Sequence, residues 1–182
     1  ANLSMDTLDY TGPAVNEGSK GVWLGLGEPK RSLPREFSGT LPSGASEALV
    51  FCGGCLVVGA PPYADEPGAA ERFAADPAFS EWMLVVITDE PRRAAASPMN
   101  FLWTTFTRFE PAGDIHASGR RIVRNHIAYS GPIVIDARLK PGFPAELFCD
   151  EETSRTVGRR WREYFDRPLE MGDSAAGHLD PA

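Results

Sequence analysis

Apolar positions along the chain fall in short runs separated by glycine- and proline-rich turns. The most continuous is Trp82-Met83-Leu84-Val85-Val86-Ile87, which predicts a strand buried on both faces of a sheet. It ends at Thr88-Asp89-Glu90-Pro91. Ile133-Val134-Ile135 predicts a second strand, with Asp136 at its exit. Ala48 to Val58 predicts a strand or a kinked pair, and Val22 to Leu26 a short strand. The rest of residues 1–21 is polar and Gly-rich, with turn signals at Thr11-Gly12-Pro13 and Asn16-Glu17-Gly18.

Helical spacing appears in three places. A short helix is expected from about Gly68 to Ala75. Ser97 followed by Pro98 is a helix start, a capping hydroxyl before proline at the first helical position. From there Met99, Leu102, Trp103, Phe106 and Phe109 recur at three-and-four spacing, which predicts the buried face of that helix, and the aromatic stripe Phe101, Trp103, Phe106 and Phe109 reads as core rather than a substrate platform. Pro111 and Gly113 end it. Asp150 caps a last helix with Val157, Trp161 and Phe165 on one side, and residues 172–177 read as a loose tail. Strands interleaved with helices predict one α/β domain, a mixed β-sheet flanked by helices. The divisions are an extension with the first strand (1–47), the α/β domain (48–167) and the tail (168–182).

Composition narrows the partners. The 182 residues suffice for one domain with a sizeable core. Eighteen Lys and Arg against 25 Asp and Glu give a net charge of −7, and the pI is near 5.0. Neither a nucleic-acid backbone nor an anionic membrane is an expected partner for such a surface. No apolar run approaches the ~20 residues of a membrane span. The amino-terminal residues lack a signal-peptide pattern, and three cysteines, an odd number, favour reduced thiols in a cytoplasmic protein.

Cys52-Gly53-Gly54-Cys55 has the C-x-x-C spacing of redox motifs and zinc half-sites. Zinc would need two further ligands, and Cys149, His116, His126 and His178 offer no second tight pair. No helix signal follows Cys55, as a thioredoxin-like site requires. The plain reading is two small buried residues around a glycine kink between strand pieces. A thiol-redox role is the sharper alternative.

Two stretches carry a family resemblance. One is Asn100-Phe101-Leu102-Trp103-Thr104-Thr105-Phe106-Thr107-Arg108-Phe109-Glu110-Pro111, followed by Asp114. The other is Pro132-Ile133-Val134-Ile135-Asp136-Ala137-Arg138-Leu139-Lys140-Pro141. Over roughly residues 48–145 the chain resembles the C-terminal part of the UbiD family of (de)carboxylases. Members act on aromatic and α,β-unsaturated carboxylic acids with prenylated FMN and associated Mn and K ions. The resemblance implies a C-terminal-type domain that builds oligomer contacts and lends walls to a substrate pocket. The family's cofactor site and Glu-Arg-Glu catalytic set match no position in this chain. The implied partner is a larger UbiD-like catalytic subunit, in a homo- or hetero-oligomer that binds a small carboxylic acid. The chain is then a separately encoded small subunit or a domain of a larger protein, and is not expected to be active alone. A non-catalytic assembly or regulatory module with the same fold is the alternative.

The residues themselves agree with a cofactor held elsewhere. A flavin phosphate wants a Gly-rich turn feeding a helix N-terminus, or clustered cations. Gly25-Leu26-Gly27 follows a strand, but Pro29 and Pro34 leave no helix there. Four residues are candidates for a substrate pocket or interface: Arg108, Asp89, Asp136 and Lys140. Each has a structural reading beside it. Arg108 sits in the last turn of a helix, with Asp114 as a candidate carboxylate partner. Asp89, with Glu90, lies where α/β sheets place ligands, yet suits a turn before Pro91. Asp136 can pair with Arg138 or Lys140. His116 and His126 flank Arg120, Arg121 and Arg124 in a basic cluster read as a solvated loop, or as a contact for an acidic partner or a carboxylate. Trp23, Phe37 and Tyr63 are the aromatic candidates for a partner interface.

Overall fold

The computed structural model describes residues 2–6, 18–22, 27–124, 126–143 and 150–168. Two strands, β1 (Asn2–Asp6) and β2 (Gly18–Val22), form an antiparallel pair of their own. The predicted strand at Val22 to Leu26 overlaps β2 only at Val22, and residues 23–26, Trp23 included, lie outside the described residues. So do Cys149 and residues 172–177 of the predicted tail.

The domain is built on a five-stranded mixed sheet. Its strands are β3 (Ala48–Cys52), β4 (Cys55–Gly59), β5 (Leu84–Thr88), β6 (Ile115–Val123) and β7 (His126–Asp136), ordered β3-β4-β5-β7-β6. The central strands β4, β5 and β7 are parallel, and β3 and β6 run antiparallel at the edges. The α/β fold class expected from the sequence is therefore the observed one. Register aligns the carboxyl ends of the parallel strands, with Val58 beside Ile87 and Ile87 beside Asp136.

Both faces of this sheet are covered, which is why the central strands read as unbroken apolar runs. On one face Leu56, Val58, Val85, Ile87 and Val134 pack against Ala70, Phe73 and Ala74 of α1 (Ala69–Ala75), with Phe79 and Trp82. On the other, Val57, Val86 and Ile135 meet Ala94 of α2 (Pro91–Ala95) and Phe101 of α3 (Pro98–Thr107). Alternate residues of each strand serve opposite layers, the period-two rule of a pleated strand.

Three expectations are corrected. The kink at Gly53-Gly54 is a two-residue hairpin turn between β3 and β4, with Gly54 at φ +80°, a conformation open to glycine at little cost. The basic cluster is no loop: it lies along β6 and β7, a long antiparallel hairpin. The third correction concerns α3. Ser97 caps it as expected, its Oγ accepting the Asn100 N–H at 3.2 Å, but the predicted core stripe is largely on the outside. Met99, Leu102 and Phe106 are 57%, 52% and 62% exposed. The buried face is Asn100, Phe101, Thr104, Thr105 and Arg108, which also recurs at three-and-four spacing. Two contacts select it. Phe101 stacks on Phe51 of β3 with centroids 4.1 Å apart, and the Asn100 side-chain amide donates to the Arg93 carbonyl of α2 at 2.8 Å.

The final helix is two pieces, α4 (Glu151–Arg159) and α5 (Trp161–Tyr164), broken at Arg160. Asp150 caps the first, accepting the Thr153 N–H at 2.8 Å.

Candidate functional site

The carboxyl edge of the parallel strands is where an α/β sheet presents its ligand-binding loops. The sequence order brings three connections there: Ala60 onward after β4, Asp89-Glu90 after β5, and Ala137 to Lys140 after β7. The last turn of α3 ends beside them. All four candidate residues, Asp89, Arg108, Asp136 and Lys140, gather at this edge.

Their chemistry is turned inward. Asp136 and Arg138 are both buried, and the guanidinium meets the carboxylate through Nε–Oδ1 at 2.9 Å and Nη2–Oδ2 at 2.7 Å. The remaining Arg138 donors reach the carbonyls of Pro61 (2.8 Å), Glu66 (2.9 Å) and Pro67 (3.3 Å). Five N–H groups thus find five acceptors, the whole capacity of an arginine. Tyr63 lies over the same guanidinium, 5.1 Å from ring centroid to Cζ. The loop after β4 is anchored to the end of β7 by one side chain.

Lys140 is the second anchor. Its ammonium donates to the carbonyls of Asp136 (2.8 Å) and Arg108 (2.9 Å) and pairs with Asp114 Oδ2 at 3.1 Å. Asp114 also accepts the Glu110 N–H at 2.7 Å. The end of α3, the turn after it and the end of β7 therefore converge on one cation. Arg108, buried in the last turn of α3, bonds Glu90 Oε2 at 3.1 Å. Glu90 reaches Arg93 as well, at 3.4 Å. The sequence offered Asp114 as the carboxylate for Arg108; the structure sets Glu90 against Arg108 and Lys140 against Asp114. Asp89 accepts the Leu139 N–H at 2.6 Å, tying β5 to the strand exit beside it.

Of the aromatic interface candidates, Phe37 packs on Phe79 and Trp82 of the core, 5.9 and 6.4 Å between centroids. Tyr63 is occupied by Arg138 and Lys140. Neither is presented as a free anchor. The carbonyl acceptors of Arg138 had no signal in side-chain identities, because any residue supplies a carbonyl. Only the proline-rich loop Pro61-Pro62 to Pro67, short of backbone N–H partners, hinted that its carbonyls would need outside donors.

The two cysteines face each other at the hairpin turn, Cys52 exposed and Cys55 buried, both free thiols. Burial first, then the neighbouring Cys52, pushes the Cys55 thiol up to about 12. A thiol so held is a poor nucleophile and metal ligand. Only half of the buried-pair expectation holds, since Cys52 sits in the outward-facing position. Among the described residues no cluster of three His, Cys, Asp or Glu is arranged for a metal ion. The cations at the carboxyl edge bond protein carboxylates and carbonyls, and the Gly53-Gly54 turn leads into a strand. Surface depressions of about 540 and 340 Å³ are lined by Glu152, Arg155 and Arg159 and by Arg31 to Pro34 with Glu81, not by the four candidates. Among the described residues no helix is long and apolar enough to cross a membrane.

Fold and edge together define an α/β domain whose charged strand exits are internally cross-braced. No protein-family model matches the chain. Curated relatives do. It is 39% identical over 165 residues to a Chlamydia pneumoniae protein named as a subunit of 4-hydroxybenzoate decarboxylase, covering 91% of this chain and 28% of that protein. An uncharacterized protein of Chlamydia trachomatis is 40% identical over 166 residues, with 91% and 28% covered. The chain is homologous to a segment of a protein named as a decarboxylase subunit, which agrees with the decarboxylase resemblance carried by its motifs. It spans 28% of the length of these relatives. Among solved structures, the open form of vanillic acid decarboxylase from Sedimentibacter hydroxybenzoicus aligns with 61% of this chain and 26% of that one, at a TM-score of 0.37 and 15% identity.

Proposed function

We propose that this chain is the assembly-forming component, a small subunit or a domain, of a UbiD-type decarboxylase acting on an aromatic or α,β-unsaturated carboxylic acid. The observation that carries the reading is the 39% identity, over 91% of the chain, to the chlamydial protein named for 4-hydroxybenzoate decarboxylase. A 4-hydroxybenzoate-like acid is accordingly the first substrate to try. Prenylated FMN with its Mn and K ions is held mainly by a larger partner, in the cytoplasm. Within this chain Arg108 and Lys140 hold the loops that would border a shared pocket.

The test is reconstitution. The chain alone, the larger polypeptide alone and their mixture are assayed for bound flavin absorbance and for CO2 release from 4-hydroxybenzoate and related acids. Activity confined to the mixture supports the reading. Flavin binding and CO2 release by the isolated chain would overturn it.

A second reading is favoured by the inward pairing of Asp136 with Arg138 and Lys140 with Asp114: a purely structural module of the same assembly. Arg108→Ala and Lys140→Ala in the reconstituted complex separate the two. Lost turnover with assembly intact supports a pocket role, and unchanged turnover supports the structural one.

A further inference from the structure

The C-x-x-C pair is the motif that the decarboxylase reading leaves unused. Cys52 closes β3, Cys55 opens β4, and register sets the two directly opposite each other. Opposed residues of an antiparallel pair have Cα atoms about 4.5–5.5 Å apart and side chains on one face. A disulfide needs Cα atoms roughly 4.4–6.8 Å apart, so the paired backbone already stands at bonding distance. The two side chains are in hydrogen-bonding contact. Both are free thiols, Cys52 exposed and Cys55 buried.

The turn between them is held from outside. The Gly54 N–H donates to the Pro34 carbonyl at 2.8 Å, and the Gly54 carbonyl accepts the Met83 and Leu84 N–H groups at 3.0 and 3.1 Å. The Leu33 side chain lies against Gly54, 3.0–3.2 Å from where a Cβ would stand. The exposed Arg35 flanks Gly53, with Nε and Cζ 3.9 Å from the corresponding Cβ position. These contacts keep the two cysteines opposed and place a guanidinium beside their turn.

We infer that Cys52 is a modification site for a low-molecular-weight disulfide and that Cys55 resolves the adduct, closing a reversible Cys52–Cys55 bond. In the first step the Cys52 sulfur attacks one sulfur of the reagent. The reagent's S–S bond breaks, and one thiol leaves with the Cys52 proton. In the second step the Cys55 sulfur attacks Cys52, and the other thiol leaves with the Cys55 proton. The chain loses two electrons, and the reagent ends as two thiols.

Exposure divides the labour, since only Cys52 meets a reagent in solution. Magnitudes decide whether the buried thiol completes the exchange. At about 12 rather than 9.0, Cys55 holds about a thousandfold less thiolate near neutral pH. Its basicity returns part of that as nucleophilicity. Two groups held in contact gain effective molarities of roughly 10⁵ M or more, so proximity outweighs the deficit. The cation of Arg35 favours a reagent that carries carboxylates, such as oxidised glutathione. The inference stands independently of the decarboxylase reading.

Oxidised glutathione, added to the reduced 182-residue chain, is the probe, and peptide mapping without reductant follows the bonds. The expected end product in the folded chain is the Cys52–Cys55 disulfide, reached through a Cys52–glutathione adduct and reopened by dithiothreitol. Decay of the adduct should quicken about tenfold per pH unit from about pH 7 to 10, past the 9.0 at which an ordinary thiol levels off. The adduct of Cys55→Ala should outlive that of the wild-type chain by at least about a hundredfold, with circular dichroism unchanged. In Cys52→Ser, Cys55 should stay unmodified. A wild-type adduct that persists on Cys52 beside a reduced Cys55 overturns the inference without recourse to a variant. So does a Cys52 that stays reduced, a disulfide that forms only in urea, or one that joins Cys149 in place of Cys55.

Discussion

Arg138 and Asp136, two residues apart, form a fully buried bidentate ion pair, and the same guanidinium ends on three backbone carbonyls of the loop after β4. The short spacing is possible because Asp136 closes a strand and Arg138 turns back over it, its own N–H reaching Asp136 Oδ1 at 3.2 Å. A buried pair adds little to stability by itself, since desolvation offsets attraction, but breaking it leaves a charge with no partner. Arg138→Met is therefore expected to lower unfolding free energy by about 3–5 kcal/mol. Adding Asp136→Leu should recover only part, because the Pro61, Glu66 and Pro67 carbonyls stay without their donor. Urea midpoints for the single and double variants check this, and full recovery in the double variant would show that the carbonyl contacts are idle.

Lys140 makes a different demand. Its three donors converge on the Asp136 and Arg108 carbonyls and the Asp114 carboxylate, a compact geometry that a planar guanidinium cannot copy. Lys140→Met should cost about 2 kcal/mol, the scale of hydrogen bonds to a charged group, and Lys140→Arg should not restore it. Thermal unfolding of both variants is the measurement, with wild-type stability in the arginine variant as the contrary result.

The paired cysteines are expected to react unequally. Cys55, pushed up to about 12 by burial, stays a neutral thiol at mildly alkaline pH, whereas Cys52 is exposed. Peptide-level mass spectrometry after iodoacetamide should find Cys52 modified and Cys55 intact until the protein unfolds. The linkage has a defined sign. The Cys55 value is raised above its ordinary 9.0, so its contribution to stability is complete below pH 9 and is lost as pH climbs toward about 12. Equal labelling of both thiols in the folded chain would contradict the burial argument.

Gly59 ends β4 where β3's approach and α2 close in. A Cβ there would collide with Ser46 Oγ and lie 2.9 Å from Pro91 Cγ. Gly59→Ala is expected to destabilise by about 1–3 kcal/mol, the cost of overpacking. Ser46→Ala in the same chain should return part of it, leaving the proline contact. A neutral Gly59→Ala in chemical denaturation would mean that the loop before β3 yields freely.

Several features were legible in the residues because they depend on local chemistry. Apolar continuity from Leu84 to Ile87 and from Ile133 to Ile135 announced central strands covered on both faces. Ser97 and Asp150 announced helix starts, since a capping side chain acts within three residues of itself. The gathering of Asp89, Arg108, Asp136 and Lys140 at one edge followed from strand exits and a helix end. The motif resemblance pointed toward decarboxylase components, and one chlamydial relative bears such a name.

What the tertiary structure decided was partnership and facing. Two stripes of α3 have acceptable helical spacing, and the less apolar one is inside because Phe101 finds Phe51 and Asn100 finds the Arg93 carbonyl, partners distant in sequence or invisible in side-chain identity. The choice among carboxylates for Arg108 and Lys140 was likewise open until loops from three strands met. The hairpin of β6 and β7 reads as a solvated loop in the sequence because its charges mask the period-two pattern that pairing imposes. The sequence by itself determined where elements begin and what chemistry they carry. Long-range packing determined which faces turn inward, because burial depends on what lies across the sheet rather than on what lies along the chain.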